Sequence, residues 1–278
     1  MESNFIENAS LGKNKWWHYV LSLLSAVAVI ALVNVLIGLV LTNIKQLFPD
    51  NDFGKGLFTF SLVLLIFGLA LFAFLIVASR LHQRPIMSFI SNKRIFSWKQ
   101  YFIGFMAWGS LLFFGSAIID YQKLEEFIAN FNLYQFTILF LLGFVAIGVQ
   151  SFFEELVIIA YFLQGLHLQI KKVTLIVIVN ALIFGVLHFG YGLESFLSSW
   201  AFGVAYAIIV ILQNRIEFVS GAHNANNLLL SLVFLDLSEA TSEKFTWAIN
   251  WVDFSIHVIA LLILVGLVYK FFRKTEWD

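Results

Sequence analysis

The chain reads as an all-α, polytopic membrane protein of about eight transmembrane helices around an intramembrane polar cavity. Three observations predict this. First, 60% of its 278 residues are hydrophobic and 12% charged, against about 45–50% and about 25% in a soluble domain, which leaves too little polar surface for a water-soluble globule. Second, its apolar runs exceed roughly eighteen residues and lack β-barrel alternation, while 32 phenylalanines and only two prolines suit long lipid-facing helices. Third, one run, SFFEELVIIAYFLQG, holds two adjacent carboxylates, Glu154 and Glu155. An ionised carboxylate at membrane depth costs on the order of 3 kcal/mol on translocon scales, and two neighbours also repel. The pair therefore requires partners, cations or a shared proton.

In chain order, Lys13 and Lys15 precede the first apolar run, at about 17–41. The segment MESNFIENASLGKNKWW lacks the small-residue cleavage site that follows a signal peptide's apolar core, so this span is expected to be retained. Further runs fall at about 55–79, 99–119, 134–167, 173–189, 194–213, 216–236 and 249–271, each near the roughly 20 residues needed to cross a bilayer. The second connection carries Arg80, Arg84, Lys93, Arg94 and Lys99 and no acid, which predicts a cytoplasmic loop. Lys171, Lys172, Arg215, Lys270, Arg273 and Lys274 fall on the same side. The acids Asp50, Asp52, Asp120, Glu125, Glu126, Asp236, Glu239 and Glu243 fall in the alternate connections. Both termini are then cytoplasmic. Within the basic loop, IMSFISNKRIFSW has apolar residues at helical spacing and is expected to lie along the membrane surface.

With no internal repeat or low-complexity linker, residues 1–278 read as one integral membrane domain. The net charge is zero and no basic stripe occurs, so no nucleic-acid partner is expected. The absence of cysteine excludes disulfides, thiolate metal sites and a cysteine nucleophile.

Two later segments each deliver a histidine, His188 in FGVLHFG and His223 in GAHNANN. On a helix Glu154 and Glu155 point about 100° apart, so one can catalyse while the other braces, and Gln150 lies one turn before Glu154 on its face. Phe184 with His188, and His223 with Asn227, each share a helix face. Glu155 lies 16 residues before Lys171 and His188 lies 16 after Lys172, about 24 Å each at helical rise, so the two can meet at one level. His223 is only 8 residues past Arg215, about 12 Å, and joins them only if its connection dips inward. Such a set supports water activation: a carboxylate, alone or with metal-bound imidazoles, takes a proton from water, which attacks a carbonyl whose oxyanion meets an Asn or His donor. Asn34, Asn180, His18, His82, His167 and His257 are read as interhelical or interfacial, and Trp and Tyr near span ends as interfacial anchors.

At EE, FxxxH and HxxxN, in this order over residues 134–236, the chain resembles the CPBP (Abi, type 2 CAAX) family of intramembrane endopeptidases. The resemblance implies hydrolysis of a peptide bond in a membrane-associated or lipidated peptide or protein. It implies that Glu154 and His188 activate the water, that His223 and Asn227 stabilise the oxyanion, and that Glu155 supports the site. Family members are described both as metalloproteases and as glutamate-dependent, so a zinc ion, if used, would fall to Glu154, His188 and His223. One departure stands out: the family's EExxxR motif has Ile159 in place of its arginine here. Two other readings stay open, a catalytically silent relative acting as scaffold or bacteriocin immunity factor, and a cation-coupled transporter. Lipids are the surrounding partner, and the membrane of a bacterial or archaeal cell is the expected location.

Overall fold

The structure, a computed structural model, describes residues 5–234 and 245–272. Asp236, Glu239, Glu243, Arg273 and Lys274, and the last two residues of the run expected at 216–236, lie outside the described residues. A 3-10 segment, Phe5–Leu11, is followed by α1 (Trp16–Lys45), α2 (Asp52–His82), a single turn α3 (Met87–Ile90), α4 (Trp98–Ile119), α5 (Tyr121–Ala129) and α6 (Leu133–Glu154). A π-helical turn, Glu155–Tyr161, joins α6 to α7 (Phe162–His167). After it come α8 (Val173–Leu187), α9 (Leu193–Gln213), α10 (Glu217–Leu229), a second π turn at Leu230–Phe234, and α11 (Trp251–Phe272). No strand occurs among the described residues; Ser91 and Arg215 form an isolated antiparallel bridge.

Within the described residues, each expected apolar run is mainly helical. Among the described residues, six helices are long and apolar enough to cross a membrane: Trp16–Val40, Asp52–His82, Trp98–Ile119, Leu133–His167, Leu193–Gln213 and Trp251–Phe271. The chain is an integral membrane protein, and large apolar side chains such as Leu24, Val27, Leu32 and Val35 of α1 stand exposed for lipid. The other two runs give shorter helices, α8 with 15 residues and α10 with 13. The helix starts follow local chemistry. Asn51, Ser97 and Asn132 cap α2, α4 and α6 by accepting from the backbone N–H of Gly54, Gln100 and Gln135, which satisfies donors left free at a helix N-terminus.

The placement of α10 organises the interior. It packs on α4 and α6, while α2 backs α6, α8 packs on α9, and α11 on α9 and α4. Residues Glu217 to Ala225 are all buried. Helix α10 approaches α4 closely because glycines face backbone across the seam: a Cβ on Gly104 would collide with the carbonyl of Phe218, and one on Gly221 with the carbonyl of Tyr101. Small residues of this kind let two helices meet backbone to backbone in a bilayer.

Two segments differ from expectation. The stretch 86–98 is not a helix lying on the membrane surface. Ser88, Phe89 and Ile90 are buried in the single turn of α3, and the strand-like stretch after it binds the connection between α9 and α10, through Asn92 N–H to the Asn214 carbonyl at 3.1 Å and Ile216 N–H to the Ile90 carbonyl at 3.1 Å. That connection is further covered from the other end of the chain, where the Phe5 N–H donates to Asn214 Oδ1 at 2.8 Å. Ile216 and Glu217 are consequently fully buried. This buried entry is how His223, eight residues past Arg215, reaches the interior.

Candidate active site

Glu154 ends α6 and Glu155 opens the π turn, where seven residues in a row are buried. A π turn frees carbonyls from the regular helical ladder, and such turns are frequent at functional sites. Here Asn180 of α8 donates from Nδ2 to the Ile158 carbonyl at 2.6 Å. This gives Asn180 the interhelical role expected of it. Asn34, by contrast, bonds its own helix at the Ile30 carbonyl.

The two glutamates converge on one imidazole. His223 Nδ1 lies 2.7 Å from Glu155 Oε1, and Nε2 of the same ring lies 3.7 Å from Glu154 Oε2. Gln150, one turn before Glu154, donates from Nε2 to Glu154 Oε1 at 3.2 Å. Asn227 Nδ2 faces His223 Nε2 at 3.2 Å. The environments of the carboxylates differ: Glu155 is fully buried, whereas the side chain of Glu154 retains 15% exposure. Glu154 opens onto a cavity of about 810 Å3 that is also lined by Gln150, Phe184, His188, His223 and Asn227.

His188 sits at this cavity without touching either glutamate. Its Nδ1 donates to the Phe184 carbonyl at 2.9 Å and its ring stacks on the Phe184 ring, centroids 5.0 Å apart. A carbonyl can only accept, so Nδ1 carries a proton, and the tautomer this selects has its lone pair on Nε2. Glu155 is the one sequence-predicted residue of the five that does not line the cavity; it reaches it only through His223.

Ile159, at the position of the absent arginine, is fully buried among apolar side chains. A buried cation does meet this segment further along: Arg84 donates from Nη2 to Gln164 Oε1 at 2.6 Å and from Nη1 to the Asn8 carbonyl at 2.7 Å, with its guanidinium 3.8 Å from the Phe89 ring centroid. Burial lowers its pKa to about 10, so it remains charged at neutral pH. It anchors the N-terminal segment rather than neutralising a glutamate.

Zinc takes three or four N, S or O ligands at about 2.0–2.3 Å. His223 faces Glu155 with Nδ1 and Asn227 with Nε2, so the donors left open at the cavity are His188 Nε2 and the Glu154 carboxylate, fewer than the three a zinc site needs. No group of three or more His, Cys, Asp or Glu among the described residues is arranged to hold a metal ion. The donor set as it stands does not fit zinc.

Residues 134–229 match the Rce1-like family, described as type II CAAX prenyl endopeptidase Rce1-like. The resemblance carried by EE, FxxxH and HxxxN is thereby borne out, and the Rce1-like segment spans α6 to the end of α10, which contains all five sequence-predicted residues. The family's description supports a protease in general. The chain is also 26% identical over 236 residues to the uncharacterized protein YyaK of Bacillus subtilis (strain 168), covering 80% of this chain and 79% of the relative. No solved structure gives a significant match.

Sequence reasoning missed three polar contributors. Trp108 donates to Asn226 Oδ1 at 3.0 Å, and Asn224 donates from Nδ2 to the Tyr101 hydroxyl at 2.7 Å and to the Phe144 carbonyl at 3.1 Å. The run HNANN inside an apolar segment was the available signal for the asparagines. Trp108 had none, since a tryptophan within an apolar run looks the same whether it faces lipid or a partner.

Proposed function

We propose that the chain is an intramembrane endopeptidase that hydrolyses a peptide bond of a membrane-associated or lipidated peptide or protein, with Glu154 as general base. The observation that carries this reading is the unequal carboxylate pair: Glu155 is buried against His223, and Glu154 faces the cavity beside the same ring. Glu154 takes a proton from a water in the cavity as the water oxygen bonds to the substrate carbonyl carbon. The developing oxyanion accepts from Asn227, whose Nδ2 carries a second N–H beyond the one facing His223. Collapse breaks the C–N bond, Glu154 returns the proton to the departing amine, and one water is consumed. His188 presents its Nε2 acceptor to the same cavity and orients the water. Glu155 holds the His223 ring in place. No step is routed through a metal, because the donor arrangement does not support one. The basic loop between α2 and α4 and both termini lie in the cytoplasm, and residues 1–278 act as one membrane domain.

The test uses the full chain in lipid vesicles with membrane-anchored peptides, and new termini read by mass spectrometry. Cleavage lost in Glu154→Gln and His223→Ala, with membrane insertion kept, is the expected result. A phenotype in cells that both variants preserve would instead indicate a silent scaffold or immunity factor.

A further inference from the structure

An indole N–H can donate and cannot accept. Trp108, 1% exposed on α4, donates from Nε1 to Asn226 Oδ1 at 3.0 Å. This sets the orientation of the Asn226 amide, whose Nδ2 meets Asn227 Oδ1 at 3.0 Å. Asn227 must then turn its own Nδ2 to His223 Nε2, at 3.2 Å. Because Nδ2 is a donor, Nε2 accepts, so the ring proton is on Nδ1, which donates to Glu155 Oε1 at 2.7 Å. Each link is determined by the one before it, and the first is determined by chemistry that cannot be reversed.

We propose that Trp108 and Asn226 are positioning residues for this site: they set the sense of the chain running from Trp108 through Asn226, Asn227 and His223 to Glu155. The chain holds His223 neutral, with Nε2 as an acceptor beside Glu154, and keeps Asn227 oriented as a donor at the cavity it lines. Without the indole N–H both amides are free to turn over. Asn227 would then offer Oδ1 to His223 Nε2, which requires a proton there and withdraws the amide N–H from the oxyanion. The inference rests on the endopeptidase reading for its catalytic consequence, but the direction of the chain does not.

Two substitutions separate this role from packing. Trp108→Phe removes the N–H while keeping an aromatic ring against Phe202 and His257, whose centroids lie 5.0 and 5.6 Å away. Asn226→Asp still accepts from Trp108 but has no amide to donate, so it reverses the Asn227 amide. The experiment is nitrogen NMR of the full chain in lipid, labelled at histidine, with the His223 signals assigned by difference against His223→Gln. Wild type is expected to show an unprotonated Nε2, Asn226→Asp a protonated one, and Trp108→Phe a mixture of the two. In peptide cleavage both variants are expected to lower kcat about tenfold with KM unchanged, as for a group that acts mainly in the transition state. An unchanged Nε2 signal in the two variants overturns the proposal, even if their stability falls. If wild type cleaves no peptide, the endopeptidase reading fails while the NMR still decides the direction of the chain. Should Asn226→Asp not fold, Trp108→Phe alone carries the test.

Discussion

His223 Nδ1 sits 2.7 Å from Glu155 Oε1, a buried contact between residues 68 apart in sequence that joins α10 to the π turn. A carboxylate at that depth is tolerated because the imidazole N–H meets it. Glu155→Leu should therefore leave His223 Nδ1 buried without an acceptor and lower stability by about 1–3 kcal/mol. Glu155→Gln keeps an acceptor oxygen and should retain most of it. Thermal unfolding in detergent compares the two; equal melting temperatures would mean that the contact is not supporting the fold.

The π turn depends on an outside donor. Asn180→Leu, which has the same heavy-atom branching, removes the hydrogen bond to the Ile158 carbonyl and is expected to cost about 1–3 kcal/mol by taking away that donor. Cleavage should fall as well, since the same turn carries Glu155. Melting temperature and kcat measured together are the check.

The α4 and α10 seam has no room for side chains. Gly221→Ala and Gly104→Ala each place a methyl group against a facing carbonyl, so the helices must move apart, at a cost of about 1–3 kcal/mol. A control at Gly38, where nothing lies within 4 Å, should be silent. Yields and melting temperatures of the three variants test this.

Topology can be read without background, because the chain has no cysteine. Arg94→Cys should resist a membrane-impermeant thiol reagent in intact cells, and Glu125→Cys should react. The reverse pattern would invert the orientation inferred from the basic loop.

How far the sequence disclosed this molecule depends on the kind of feature. Apolar runs located the six long helices and the shorter α8 and α10, since hydropathy marks where each begins and ends. The amphipathic α5 was not anticipated, because its alternating charges and apolar residues fall between two spans and read as a connection. The π turn was invisible: a one-residue change of hydrogen-bond register leaves no mark on a run in which nearly every residue is apolar. His223 looked too shallow because its helix entry is buried by residues 5–11 and 85–97, segments more than a hundred positions away. The motifs placed Glu154, Glu155, His188, His223 and Asn227 in one region, but the partition between the cavity-facing Glu154 and the enclosed Glu155 required coordinates. So did the link from Trp108 to Asn226, a contact across 118 residues.

Metal dependence separates two forms of the chemistry. Since the donors are not arranged for zinc, cleavage by purified protein is expected to survive chelation, and elemental analysis to find no stoichiometric zinc. Activity that is lost on chelation and restored by zinc would require His223 Nε2 to exchange its contact with Asn227 for the metal, with His188 Nε2 and Glu154 drawn to the same ion.

The most direct test of the central claim is the rate of peptide cleavage by Glu154→Gln in vesicles. The substitution keeps the side chain's shape and its hydrogen bond with Gln150 while removing the base. General-base removal should lower kcat by about a hundredfold or more, with KM and melting temperature close to wild type. Cleavage by Glu154→Gln at the wild-type rate would contradict the assignment of Glu154 as the base and, with it, the proposed hydrolysis.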